Sequence, residues 1–100
     1  MRKLWLVILV LALVAVSADA GEKYRVALIA KAMDSEWWQT VKGGAEKFAK
    51  ENPDMELSVL APDREINVQQ QIQIIEDQIT SGVNCLVIAP CGAAEVIPTL

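Results

Sequence analysis

Two adjacent indoles, Trp37 and Trp38, are the side chains of this 100-residue chain best suited to hold a small ligand. A polyhydroxylated ring has apolar C–H faces edged by hydroxyls. An indole can lie against such a face while nearby polar groups hold the hydroxyls. Ser35 stands just before the pair, and Asp63, further on, could accept a hydroxyl proton. Each has a competing structural role. Ser35 is most simply a helix cap, which does not stop it facing a ligand. Asp63 reads first as a solvated loop carboxylate, and Lys31 as a loop charge. Covalent chemistry has little to work with. There are two cysteines and no histidine, so a Cys–His nucleophile pair is impossible within the chain. Cys85 and Cys91 lie roughly 20 Å apart along an extended chain, whereas bridged Cα atoms are about 4.4–6.8 Å apart. We read Cys85 as a buried free thiol in a strand and Cys91 as a loop residue. A thiol is a weak hydrogen-bond partner, so Cys91 would line a site rather than anchor a ligand. Metal binding is disfavoured by the same spacing and the missing histidine, and no cofactor is expected.

The elements that position these residues follow from hydrophobic patterning. Tyr24–Ala30 is an apolar strand without polar alternation, which suits the centre of a parallel sheet. A polar loop, Lys31–Ser35, leads into a helix over about Glu36–Lys50, capped by Asp34 or Ser35. Trp38, Val41, Ala45, Phe48 and Ala49 share one face of it, and Lys42, Glu46 and Lys50 the other. Trp38 therefore serves packing as well as it serves a ligand, whereas Trp37 lies off the stripe and is the better ligand-facing candidate. Gly43-Gly44 costs this helix about 1 kcal/mol per residue, a cost that close approach to the sheet would explain. Asn52-Pro53-Asp54 stops the helix. Met55–Leu60 alternates and reads as an edge strand. A second helix spans about Val68–Ser81, with Asn67 as N-cap, an apolar stripe of Val68, Ile72, Ile75 and Ile79, and Gly82 as the stop. Cys85–Ala89 is again apolar throughout and reads as central. Pro90-Cys91-Gly92 is its loop, and a third helix begins at Ala93.

The order β-α-β-α-β-α implies an α/β fold, a parallel three-layer sandwich with the strands in spatial order 2-1-3. Ligands of such sheets bind at the carboxyl ends of the strands. The loops carrying Ser35, Asp63, Cys91 and Gly92 all lie there. The chain opens with Met1-Arg2-Lys3, an apolar run from Leu4 to Val16, and Ser17-Ala18-Asp19-Ala20. This is the grammar of a secretory signal peptide over residues 1–20, with no membrane insertion after cleavage, since the run falls short of the roughly 20 residues a spanning helix needs. Without Arg2, Lys3 and Asp19 the remainder carries 7 basic and 12 acidic residues. That acidic balance argues against nucleic-acid or anionic-membrane partners.

Met33-Asp34-Ser35-Glu36-Trp37-Trp38, Lys42 with Gly44-Ala45-Glu46, Gln71-Ile72, Ile75-Glu76-Asp77, Gly82-Val83 and Leu86-Val87-Ile88-Ala89-Pro90 stand in an order similar to that of periplasmic sugar-binding proteins of ABC importers. The resemblance is to the ribose-binding-like, type I periplasmic binding protein family and covers Tyr24–Leu100. It implies a solute receptor, not an enzyme, that binds a monosaccharide between two lobes and delivers it to ABC permease subunits. The alternative is a periplasmic sensor reporting to a chemoreceptor or sensor kinase. Residues 21–100 would then be an incomplete amino-terminal lobe, exported to the periplasm, and alone would lack one face of the cleft. By the same resemblance the ligand-facing positions are Ser35, Trp37 and Trp38, with Cys91 and Gly92 near the cleft. The chain departs from the family at two places. It has Ser35-Glu36 where Asn-Pro often precedes the aromatics, and Gly92 where Asp is frequent. Competing α/β readings lack their marks. Lys31–Ser35 holds no G-x-G-x-x-G phosphate cradle and no paired acidic residues of a response regulator. A leader, not a DNA-binding motif, precedes the first strand.

Overall fold

The computed structural model describes residues 23–100. The signal-peptide reading of 1–20 concerns residues outside the described ones. Three strands, β1 (Tyr24–Ile29), β2 (Met55–Leu60) and β3 (Cys85–Ile88), alternate with helices α1 (Glu36–Glu51), α2 (Val68–Ser81) and α3 (Ala93–Val96), and a 3-10 turn, Ile97–Thr99, follows. The strands are parallel in spatial order β2-β1-β3. Val26 pairs with Leu57 on one side and Cys85 on the other, and Ile29 with Leu60 and Ile88.

Alternation along the strands divides the side chains between two helical layers. Ala27 and Ile29 face α2 and pack with Ile75 and Val96, flanked by Ile72, Ile74, Val83, Leu86 and Ile88. Each of the larger fully buried side chains here, Ile29, Ile75 and Val96, contributes about 1.5–3 kcal/mol of transfer free energy. The opposite face carries Leu57 and Val59 on the side where α1 lies over β2. Arg25 closes the far end of the sheet. Its guanidinium donates from Nη1 to the Ser81 carbonyl at 2.8 Å and from Nη2 to Ser81 Oγ at 3.3 Å. Its backbone exchanges bonds with Asn84, to the side-chain Oδ1 and from the amide, both at 2.8 Å.

Several expectations are corrected. Cys85 is exposed, not buried. Among the described residues β3 pairs on one side only, with β1. Because α1 lies over β2, no helix among the described residues covers the Cys85–Val87 face of β3, and Val87 is 48% exposed. Gly43 and Gly44 do not mark a close approach, since a Cβ built on either meets nothing within 4 Å. Phe48 sits at the wet margin of its stripe, 56% exposed. Asn67 occupies the N-cap position of α2, but its side chain makes no capping bond. It donates instead to Gln70 Oε1 at 3.3 Å. The third helix is a single turn that tightens to 3-10 at Ile97, because Pro98 has no N–H to continue an α-helix. Gly82 ends α2 in the left-handed region at φ 79°, with its amide bonded back to the last turn, as its position predicts.

Candidate functional site

The carboxyl ends of the three strands meet at one end of the sheet. Ala30 N–H donates to the Leu60 carbonyl and Ala89 N–H to the Ile29 carbonyl, each at 2.9 Å, so the ladder continues one residue past the strands before the loops part. Ala30, Ala32 and Pro62 are buried there and anchor the loop bases.

The loop after β1 is held from α1. Ser35 is the N-cap, and its Oγ accepts from Trp38 N–H at 3.4 Å. Gln39 Nε2 donates to the Met33 carbonyl at 2.7 Å. Around them lies an open depression of about 520 Å³ lined by Met33, Asp34, Ser35, Glu36, Gln39 and Thr40. A depression of similar size between α1 and β2, lined by Lys42, Glu46, Ala49, Lys50, Leu57 and Val59, lies mid-strand, away from the loops. It is a seam bridged on the helix by the Lys42–Glu46 pair at 3.8 Å.

The six sequence candidates fall into different settings. Trp37 is 70% exposed and presents its indole to solvent. Trp38 is half-buried, and its Nε1–H donates to Glu65 Oε1 at 3.3 Å, tying α1 to the loop after β2. Asp63 is exposed, and its backbone N–H donates to Gln70 Oε1 at 2.9 Å. Its carboxylate has no partner among the described residues. Cys91 is partly buried in the loop after β3, with its thiol 3.6 Å from the Lys31 carbonyl. Burial pushes that thiol pKa up, the Glu65 carboxylate pushes it further the same way, and Lys31 pulls against them. The protonated thiol can therefore donate at neutral pH. Gly92 caps α3 through its carbonyl, which accepts from Val96 N–H at 3.0 Å. Its backbone is extended, so glycine is not required by conformation. A Cβ there would fall on the Glu95 carboxylate, a flexible group able to turn away.

Two residues that were not among the site candidates join these loops. Glu65 accepts the hydrogen bond of the Trp38 indole N–H and acts through its charge on Cys91. Gln71 is fully buried in the first turn of α2. It donates from Nε2 to the carbonyls of Ala30 at 3.0 Å and Ala89 at 2.9 Å, and its Oε1 accepts from Cys91 N–H at 2.8 Å. Its place on the helical wheel, four residues before Ile75 and three after Val68, is the signal that could have found it. No helix of the described residues is long and apolar enough to cross a membrane.

Residues 26–100 match the model of the periplasmic binding protein domain. A D-ribose/D-allose-binding protein of Pseudomonas aeruginosa is 38% identical over 91 residues, which is 90% of this chain and 28% of that protein. Among solved structures, a solute-binding protein of an ABC transporter from Burkholderia multivorans superposes with a TM-score of 0.74 at 30% identity, over 79% of this chain and 28% of its own. A periplasmic solute-binding protein of an ABC transporter from Actinobacillus succinogenes with bound D-allose gives 0.68 at 26% identity, over 77% and 25%. These relatives are binding proteins rather than enzymes, and this chain spans little more than a quarter of their length. With the match running from β1 to Leu100 on a parallel β2-β1-β3 sheet, the chain belongs to the periplasmic binding protein domain family.

Proposed function

We propose that this chain supplies one wall of a monosaccharide site in a solute-binding protein that delivers its sugar to an ABC-type importer. What supports the reading most is the likeness to the D-ribose/D-allose-binding relative, which runs over nearly the whole chain. The site chemistry agrees with it. Trp37 offers a bare indole face, and its chain neighbours Ser35 and Glu36 line an open polar depression; a ring with apolar faces and hydroxyl edges calls for both kinds of surface. Ser35 and Asp63 supply oxygens, the Cys91 thiol a weak donor, and Gly92 a side-chain-free edge whose space is now taken by the Glu95 carboxylate. Trp38 contributes apolar ring surface rather than a donor, since its N–H is already committed to Glu65. Delivery to permease subunits, export through the leader at 1–20 and residence in the periplasm belong to the same reading.

The test is calorimetric titration of the full-length protein with D-ribose and D-allose, beside Trp37→Ala. Saturable binding of either sugar is expected, weakened about tenfold or more by the substitution, the scale of a lost aromatic contact of about 1.5 kcal/mol. The helical circular dichroism should persist, because Trp37 is largely exposed. Undiminished affinity in Trp37→Ala would remove this indole from the site. Failure of the unsubstituted protein to bind either pentose or hexose would remove the sugar reading.

A further inference from the structure

Every polar atom of the Gln71 side chain is used, and every partner is backbone at the carboxyl end of the sheet. An apolar residue could fill the same buried volume, as Ile75 does one turn later. The amide adds specific ties, to Ala30 just past β1, to Ala89 just past β3, and to Cys91 one step into the next loop. The ladder bond from Ala89 to Ile29 is the last between these two strands. Beyond it, among the described residues, the loops after β1 and β3 are joined only by the Cys91 thiol on the Lys31 carbonyl and by Gln71.

We propose that Gln71 is a positioning residue of the sugar site, fixing the spacing between the loops Lys31–Ser35 and Pro90–Gly92 through its two donors and one acceptor. The proposal rests on the sugar-binding reading above and assigns the rigidity of that site to one buried amide. Three backbone groups depend on it, one at buried Ala30 and two at partly buried Ala89 and Cys91. Removing the amide leaves two carbonyls and an N–H without their protein partner, at a cost that is greatest at Ala30. The loops must then separate far enough to admit water. Ser35 and Cys91 would lose their relative placement, while strands and helices, whose own bonds are untouched, persist.

The experiment uses the full-length protein with Gln71→Leu and Gln71→Glu. The first readout needs no ligand. Alkylation of Cys91 by iodoacetamide is followed by peptide mass spectrometry, with exposed Cys85 as internal reference, and circular dichroism verifies that the variant is folded. The Cys91-to-Cys85 rate ratio is expected to rise about tenfold in Gln71→Leu, because the thiol leaves Lys31. The second readout is D-ribose affinity against pH, with the unsubstituted protein as reference at each point. The charged and ionisable groups on the elements around position 71 are Lys31, Asp34, Asp63, Arg64, Glu65, Cys91 and Glu95 on the loops and α3, and Glu76 and Asp77 on α2 itself. The reference carries all of them, so the ratio to it isolates position 71. The carboxyl group introduced by Gln71→Glu cannot donate when ionised, and it then faces two carbonyl oxygens. When protonated it accepts from Cys91 and donates to one carbonyl. Burial raises its folded pKa above the ordinary value of about 4.3. Affinity of Gln71→Glu relative to the reference should therefore recover toward about pH 5 and fall as pH rises through the raised value. Should Gln71→Leu not fold, this recovery decides alone. A folded Gln71→Leu with an unchanged thiol ratio, or a Gln71→Glu that tracks the reference at every pH, overturns the proposal. A raised thiol ratio in a protein that binds no D-ribose even unsubstituted keeps the clamp and discards the sugar reading.

Discussion

Gly43 and Gly44 sit in the middle of α1, and the space where a Cβ would stand on either is empty to 4 Å. Neither has a positive φ, since Gly82 is the only residue with one among those described. Alanine can therefore enter both positions without strain. Its gain has two sources, a smaller loss of backbone entropy on folding and a better-shielded helix backbone. Gly is about 0.8–1 kcal/mol worse than Ala in a helix interior. Each of Gly43→Ala and Gly44→Ala should stabilise by about that amount. The pair should give about 2 kcal/mol, because adjacent helical positions point about 100° apart and their methyl groups do not meet. Urea unfolding followed by far-ultraviolet circular dichroism measures it. The midpoint should rise while the dependence on urea stays constant, the mark of a stability change without altered compactness. A loss of stability in either variant would refute the reasoning. It would mean that another body rests against this face of α1 closely enough to exclude a methyl group, and the expectation of close approach would be restored with a different partner from the sheet.

Gly82→Ala places a Cβ at φ 79° and should destabilise by about 1–2 kcal/mol, read from the same urea transitions. Asn84→Ala removes the acceptor of the Arg25 amide at 2.8 Å; a loss of about 1 kcal/mol is expected, together with faster hydrogen exchange of the Arg25 N–H. Alkylation needs the thiolate, so the pH profile for Cys91 should lie above that of an ordinary thiol. Glu65→Gln should move it down, because a negative charge that opposes ionisation is gone, and Lys31→Met should move it up. Burial, the largest cause, remains in both, so Glu65→Gln returns the profile only part of the way. A profile that ignores both substitutions would mean that Glu65 and Lys31 do not share the Cys91 environment.

The order of elements was legible because each was patterned for its setting. Val26–Ala30 carries no polar side chain, Glu56 and Ser58 interrupt β2 at alternate positions, and Gly82 stands where α2 must stop. What misled was reading β3 by the same rule as β1. A run apolar on both faces signals a strand made to be covered twice, and Cys85 and Val87 have that composition, yet α1 lies over β2 instead. Patterning reports which surfaces are built for burial. It does not report which neighbour among the described residues supplies the cover. The glycine pair failed for a related reason. Glycine marks either a close contact or nothing, and a one-dimensional pattern cannot separate the two.

At the site, the legible residues were those whose side chains face outward with recognisable chemistry. Trp37, Trp38 and Ser35 follow the first strand directly, and their neighbourhood could be placed from the order strand, loop, helix. The residues that hold the site together were not legible in the same way. Gln71 lies in a run of glutamines, and composition gives no reason to prefer it over Gln69, Gln70 or Gln73. The wheel does, by turning it toward Ile75, and the resemblance at Gln71-Ile72 marks the position without giving it a role. Its partners are main-chain atoms, which every residue has, so the bond leaves no second residue type to look for. Glu65 is hidden on similar grounds, since it and Asp63 are both loop carboxylates. What distinguishes it is the indole N–H that reaches it across twenty-seven residues of chain. A site of this kind is thus half visible. The groups that would meet a ligand carry their chemistry in the side chain and can be named from sequence. The groups that fix where those stand act on backbone or at long range, and finding them takes coordinates.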